Sequence, residues 1–169
     1  MRRLFVLAIA VALALVVALP AGAGNGRNFT AAPLSGSNEV PANDSQGSGV
    51  AHFKLSKDGT ALSYKLIVAN LDNVLQAHIH CGSADENGAV VAFLYPPAPP
   101  AQLIPGTFNG VLQTGVITDA QIIPLVGNTI CGADIEDLDD LIAQMRAGNT
   151  YVNVHTTALP GGEIRGQIK

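Results

Sequence analysis

Downstream of residue 28, apolar residues recur at every second position in short runs separated by turn residues, the pattern of half-buried β-strands. Strands are expected over Asn28–Leu34, Val50–Ser56, Ala61–Val68, Leu75–Cys81, Val90–Tyr95, Thr107–Val116, Tyr151–Thr156 and Glu163–Ile168. Lys57-Asp58-Gly59, Asp85-Glu86-Asn87-Gly88 and Leu159-Pro160-Gly161-Gly162 supply turns, and Ser35–Gly49 reads as a long polar loop. Pro96-Pro97-Ala98-Pro99-Pro100 lacks ladder donors and is expected to run as an extended surface loop. One stretch changes period: Ile135, Leu138, Leu141, Ile142 and Met145 are spaced by three and four, predicting a helix over Asp134–Ala147 with Asp134 as N-cap and Gly148 as stop. Many short strands with one inserted helix predict a mainly β fold, an antiparallel β-sandwich.

The first 23 residues follow a different pattern. Arg2-Arg3 precedes an apolar run over Leu4–Leu19, and Pro20-Ala21-Gly22-Ala23 ends it with a small-residue exit, as in a cleaved secretory signal. The run of sixteen residues is short for a membrane span. Cleavage after Ala23 gives a single domain over 24–169 and no stable membrane anchor, so the product is expected to be secreted, extracellular or periplasmic. Removing two Arg and no acid moves the formal charge from −4 to −6. An acidic chain without a Lys/Arg cluster argues against nucleic-acid binding. Cys81 and Cys131, an even pair in an exported chain, read first as a disulfide. The alternative, a Cys81 thiolate ligand beside His80, suits oxidising surroundings less well. Asn28-Phe29-Thr30 and Asn43-Asp44-Ser45 have the form of glycosylation acceptors.

Candidate chemistry centres on Gln76-Ala77-His78-Ile79-His80-Cys81-Gly82. His78 and His80, two apart on a strand, share a face, with Ala77, Ile79 and Cys81 opposite. Tyr151, Asn153 and His155 form the matching set on a later strand, with Val152 and Val154 opposite. If the valines and Ile79 face the core, His78, His80 and His155 project outward and converge wherever the two strands are neighbours. Three imidazole nitrogens suit copper or zinc and leave one position open. Glu163, returned towards His155 by a short hairpin, is a fourth candidate; its plainer role is a surface pair. His52 alternates with Lys54 and is expected to face solvent. Asp134, Glu136, Asp137, Asp139 and Asp140 lack the spacing of a calcium loop and fit a helix start. There is no G-x-S-x-G elbow, H-E-x-x-H pair or phosphate loop, so an enzyme is not the expected reading; the competing one is a redox-active protein with a single copper at His78, His80 and His155.

Leu34–Pro41 (LSGSNEVP), Gly47–Leu55 (GSGVAHFKL), Ala77–Gly82 (AHIHCG), Asn87–Leu94 (NGAVVAFL) and Tyr151–Ile168 (YVNVHTTALPGGEIRGQI) together resemble the chordin-type, or CHRD, domain. The resemblance runs in order from about Asn28 to Lys169. It implies an extracellular binding or structural module without established catalysis, whose partner would be an extracellular protein or glycan. A weaker similarity, on H-x-H and V-x-V-H followed by a Gly-rich loop and an Arg-bearing strand, links the chain to the copper half of copper/zinc superoxide dismutase. It implies an immunoglobulin-like or superoxide-dismutase-like sandwich, copper at His78, His80 and His155, and an anion-guiding role for Arg165. The segment Gly82–Gly110 has no histidine, so a binuclear centre is not implied.

Overall fold

The computed structural model describes residues 26–169; the expected signal segment lies outside the described residues. The strands are β1 (Asn28–Ser35), β2 (Ser48–Leu55), β3 (Leu62–Cys81), β4 (Ala89–Tyr95), β5 (Ile104–Ile117), β6 (Thr150–Thr156) and β7 (Ile164–Gln167), with one α-helix, α1 (Leu138–Ala147). Every named strand pairing is antiparallel. The fold is a β-sandwich with one short helix, as the alternation predicts.

β3 organises it. Two expected strands are one 20-residue strand whose first half pairs with β2 and β5 and whose second half pairs with β6 and β4. From β2 the pairing continues through β1, β7 and β6 and returns to β3. Within β3, Asn70 and Asn73 adopt positive φ, 60° and 54°, a conformation Asn tolerates better than most residues. The ladder slips there, and the buried positions change parity. Leu62, Tyr64, Leu66 and Val68 face the core in the first half; Ala77, Ile79 and Cys81 do so in the second. That change puts His78 and His80 on the face away from the core. An unbroken alternation from Leu62 would have put them inside.

The core combines these residues with Ala51, Phe53 and Leu55 of β2, Val152 and Val154 of β6, Ile164 of β7 and the apolar face of α1, Leu138, Leu141, Ile142 and Met145. The helix is shorter than its apolar period suggests. Ile135 is held in a bridge with Leu125, and the Asp134 carboxylate accepts from the Gly127 amide. The cap therefore falls on Asp137, which accepts from the Asp140 amide at 3.0 Å. Gly148 ends the helix with φ 76°, as expected. Cys81 and Cys131 form a disulfide across 50 residues, tying the end of β3 to the loop before α1.

Candidate metal centre

In the β3–β6 ladder His78 stands opposite Asn153, His80 opposite Tyr151 and Gln76 opposite His155. The side chains of His78, His80, Tyr151, Asn153 and His155 therefore rise from one face. Each of His78, His80 and His155 offers a ring nitrogen, and these atoms lie within 4.8 Å of one another. A cation bound at about 2.0 Å from three nitrogens would separate them by about 3.5 Å, so small side-chain adjustments suffice.

Hydrogen bonding fixes how the rings present themselves. His155 Nδ1 lies 3.0 Å from the Pro160 carbonyl, and His80 Nδ1 lies 3.0 Å from the Gly88 carbonyl. A carbonyl only accepts, so both Nδ1 atoms carry protons and both Nε2 atoms keep their lone pairs. His78 Nδ1 then donates to His155 Nε2 at 3.1 Å. This leaves the Nε2 atoms of His78 and His80 buried with no partner, and a cation takes the His155 Nε2 lone pair only by displacing the His78 Nδ1 proton from it. Backbone carbonyls that hold one ring nitrogen protonated, while the other stays free, are the usual support of metal-binding histidines.

The sequence suggests exposed imidazoles; the structure buries them. His78, His80 and His155 are 4 %, 9 % and 5 % exposed. Their face is roofed by the 36–47 segment, the 82–88 loop and the 157–162 turn. Asn87 donates to the Val40 carbonyl, Asn38 to the Arg165 carbonyl and Asn43 to the Glu163 carbonyl, which locks the roof together. Phe93 meets His78 edge-on at 4.7 Å. Burial pushes the His78 ring down to about 3, helped by the neighbouring rings of His155 and His80. It pushes His80 down to about 4, against the raising effect of its bond to Gly88. His155 is lowered for the same reason. All three are neutral, ligand-competent imidazoles at pH 7.

The other candidates sit elsewhere. Glu163 is outside the group: its carboxylate accepts from Ser45 Oγ at 2.6 Å and from Thr156 Oγ1 at 2.5 Å. The disulfide removes Cys81 as a thiolate ligand. His52 is exposed, as expected, with Thr30 Oγ1 3.5 Å from its Nδ1. Arg165 cannot guide anions from outside, being 1 % exposed. It donates to the Ser83 and Glu86 carbonyls at 2.6 and 2.9 Å and to Asn87 Oδ1 at 3.2 Å, and its guanidinium lies 3.5 Å from the Tyr151 ring centre. Tyr151 in turn stacks on His80 with centroids 4.9 Å apart.

Sequence reasoning missed Glu39. It is 7 % exposed, and its Oε2 accepts from Asn153 Nδ2 at 3.3 Å. Glu39 Oε1 and Asn153 Oδ1 are both buried without partners. Burial raises this carboxyl to about 7, although Arg165 and Asn153 oppose the shift. Only a loop signal, LSGSNEVP, marked this residue, and no periodicity said where it would dock.

The CHRD domain description matches residues 30–168, nearly the whole described chain. The chain belongs to the CHRD family. CHRD domains are extracellular binding or structural modules, and the disulfide accords with that setting. No curated protein and no solved structure matches this CHRD chain. Among the described residues, no helix of the CHRD domain is long and apolar enough to cross a membrane.

Proposed function

We propose that the chain is exported after removal of residues 1–23 and that residues 24–169 act as one CHRD module binding a single copper or zinc ion through His78, His80 and His155. One observation carries the reading: the three rings converge while the Nε2 atoms of His78 and His80 are buried and unpartnered. Leaving such atoms dry costs on the order of 1–3 kcal/mol each, and a bound cation removes that cost. The donor set is all imidazole, which suits copper and zinc and disfavours calcium and magnesium. The centre serves binding or stability of the module.

The test is copper and zinc titration of the exported protein beside a His78→Ala/His80→Ala variant. One tightly held ion per chain, lost in the variant, is the expected result. A wild-type protein that binds neither ion, with a variant that is merely less stable, would make the histidines architectural.

A further inference from the structure

The charge around the three histidines is more informative than the ligands alone. The group contains no carboxylate and no thiolate. Glu163 is committed to the hydroxyls of Ser45 and Thr156. The Arg165 guanidinium lies behind the Tyr151 ring that stacks on His80. Glu39, the carboxyl that faces Arg165 and Asn153, is itself driven towards its neutral form by burial. A cation entering this site meets three neutral donors, the Phe93 ring beside His78 and a fixed positive charge nearby.

The cost of moving an ion from water into such surroundings grows with the square of its charge, and no anionic ligand offsets it here. A dication therefore suffers about four times the desolvation penalty of a monocation of similar size. The nitrogens also lie close together on rings almost shut off from solvent, whereas an open zinc site keeps a water-filled position. Copper(I) meets all of these conditions: it is singly charged, accepts imidazole, and is stable with three donors and no water.

We infer that this centre is selective for copper(I) over zinc(II), because three neutral, roofed imidazoles beside a buried guanidinium stabilise a monocation better than a dication. The inference rests on the metal-binding reading above and names the ion and oxidation state that the site prefers. It makes the protein a holder of reduced copper outside the cell, not a structural zinc protein.

The experiment is a chelator competition on the exported protein, with copper(I) measured anaerobically under ascorbate against a chromogenic cuprous chelator and zinc(II) measured against a zinc indicator. Copper(I) should bind at least about a hundredfold more tightly than zinc(II), the margin expected when a dication lacks any anionic partner in a low-dielectric site. The companion variant is Phe93→Glu, which puts a carboxylate beside His78 at a half-buried position; folding is checked by circular dichroism. That variant should narrow the copper(I)-to-zinc(II) ratio by about tenfold or more. Equal or tighter zinc(II) binding by the wild-type protein would overturn the inference while leaving the metal centre standing. A ratio unchanged in folded Phe93→Glu would also overturn it, since charge would then not set the preference. Failure to bind either ion would overturn the metal-binding reading and this inference with it.

Discussion

His78 Nδ1 lies 3.1 Å from His155 Nε2, although 77 positions separate the two residues in the chain. The contact exists because β3 and β6 are neighbours with Asn153 opposite His78, and because the two asparagines in the middle of β3 switch which face of the strand meets the core.

The loop carrying Gly88 sets the orientation of His80. A Cβ at Gly88 would stand 1.6 Å from the Cys81 carbonyl oxygen, a backbone atom that cannot yield cheaply. Gly88→Ala must therefore move the loop, and with it the carbonyl that holds His80 Nδ1. Loss of stability on the order of 2 kcal/mol or more is expected, within the range of strained-backbone mutations. Metal affinity should fall further than in a control at Gly59, whose Cβ would meet open space but whose φ is 80°. Thermal melts with and without metal check both effects.

Glu39 should give stability an unusual pH dependence. Its folded pKa, about 7, lies above the ordinary value of 4.5, so the folded state binds the proton more tightly than the unfolded state. Its contribution is fully present below pH 4.5, declines as pH rises and is lost above about pH 7, with a slope of at most about 1.4 kcal/mol per pH unit. The protonated acid can donate from Oε1 towards Asn153 Oδ1, which satisfies two buried oxygens that otherwise lack partners. Both atoms lie close to Gly162, at 2.8 and 2.6 Å from where its Cβ would be. Glu39→Gln, whose amide is a permanent donor, should flatten this part of the curve. Denaturant melts from pH 4.5 to 8 compare the two; a Glu39→Gln profile as steep as the wild type would contradict the assignment.

The sandwich and the histidine set were readable because both depend on period two. His78 with His80, and His155 with Asn153 and Tyr151, share faces by alternation alone. The burial of that face was not readable. It depends on 36–47, 82–88 and 157–162 closing over it through contacts such as Asn87 to Val40, between segments with no periodic pattern. The same limit hid Glu39 and the inward turn of Arg165. The helix start moved from Asp134 to Asp137 because the Leu125–Ile135 bridge, a tertiary contact, outranks the local apolar period.

Arg165 holds the 82–88 loop through two carbonyls and Asn87. Lysine has the charge but not the planar fork, and cannot reach all three acceptors while stacking on Tyr151. Arg165→Lys should cost about 2–4 kcal/mol, since it leaves buried carbonyls short of donors. Amide exchange over 82–88 should quicken well before that of β2. Equal protection of the two regions in the variant would show that the guanidinium does not hold the loop.

The Cys81–Cys131 bond closes a 50-residue separation and sits beside His80. Replacing both cysteines by serine should lower stability by about 2–4 kcal/mol through the unfolded chain. It should weaken metal binding as well, because the end of β3 that carries His80 loses its tie to the loop before α1. Denaturant melts with and without added copper separate these contributions: a metal-free loss with no change in the copper-dependent increment would limit the disulfide to stability.

The most direct test of the account is X-ray absorption on the copper-loaded protein. Three nitrogen scatterers at about 2.0 Å, with the multiple scattering of imidazole rings and no sulfur, are predicted. A shell dominated by oxygen, a sulfur contribution, or the same spectrum from the His78→Ala/His80→Ala protein would contradict a centre built by His78, His80 and His155.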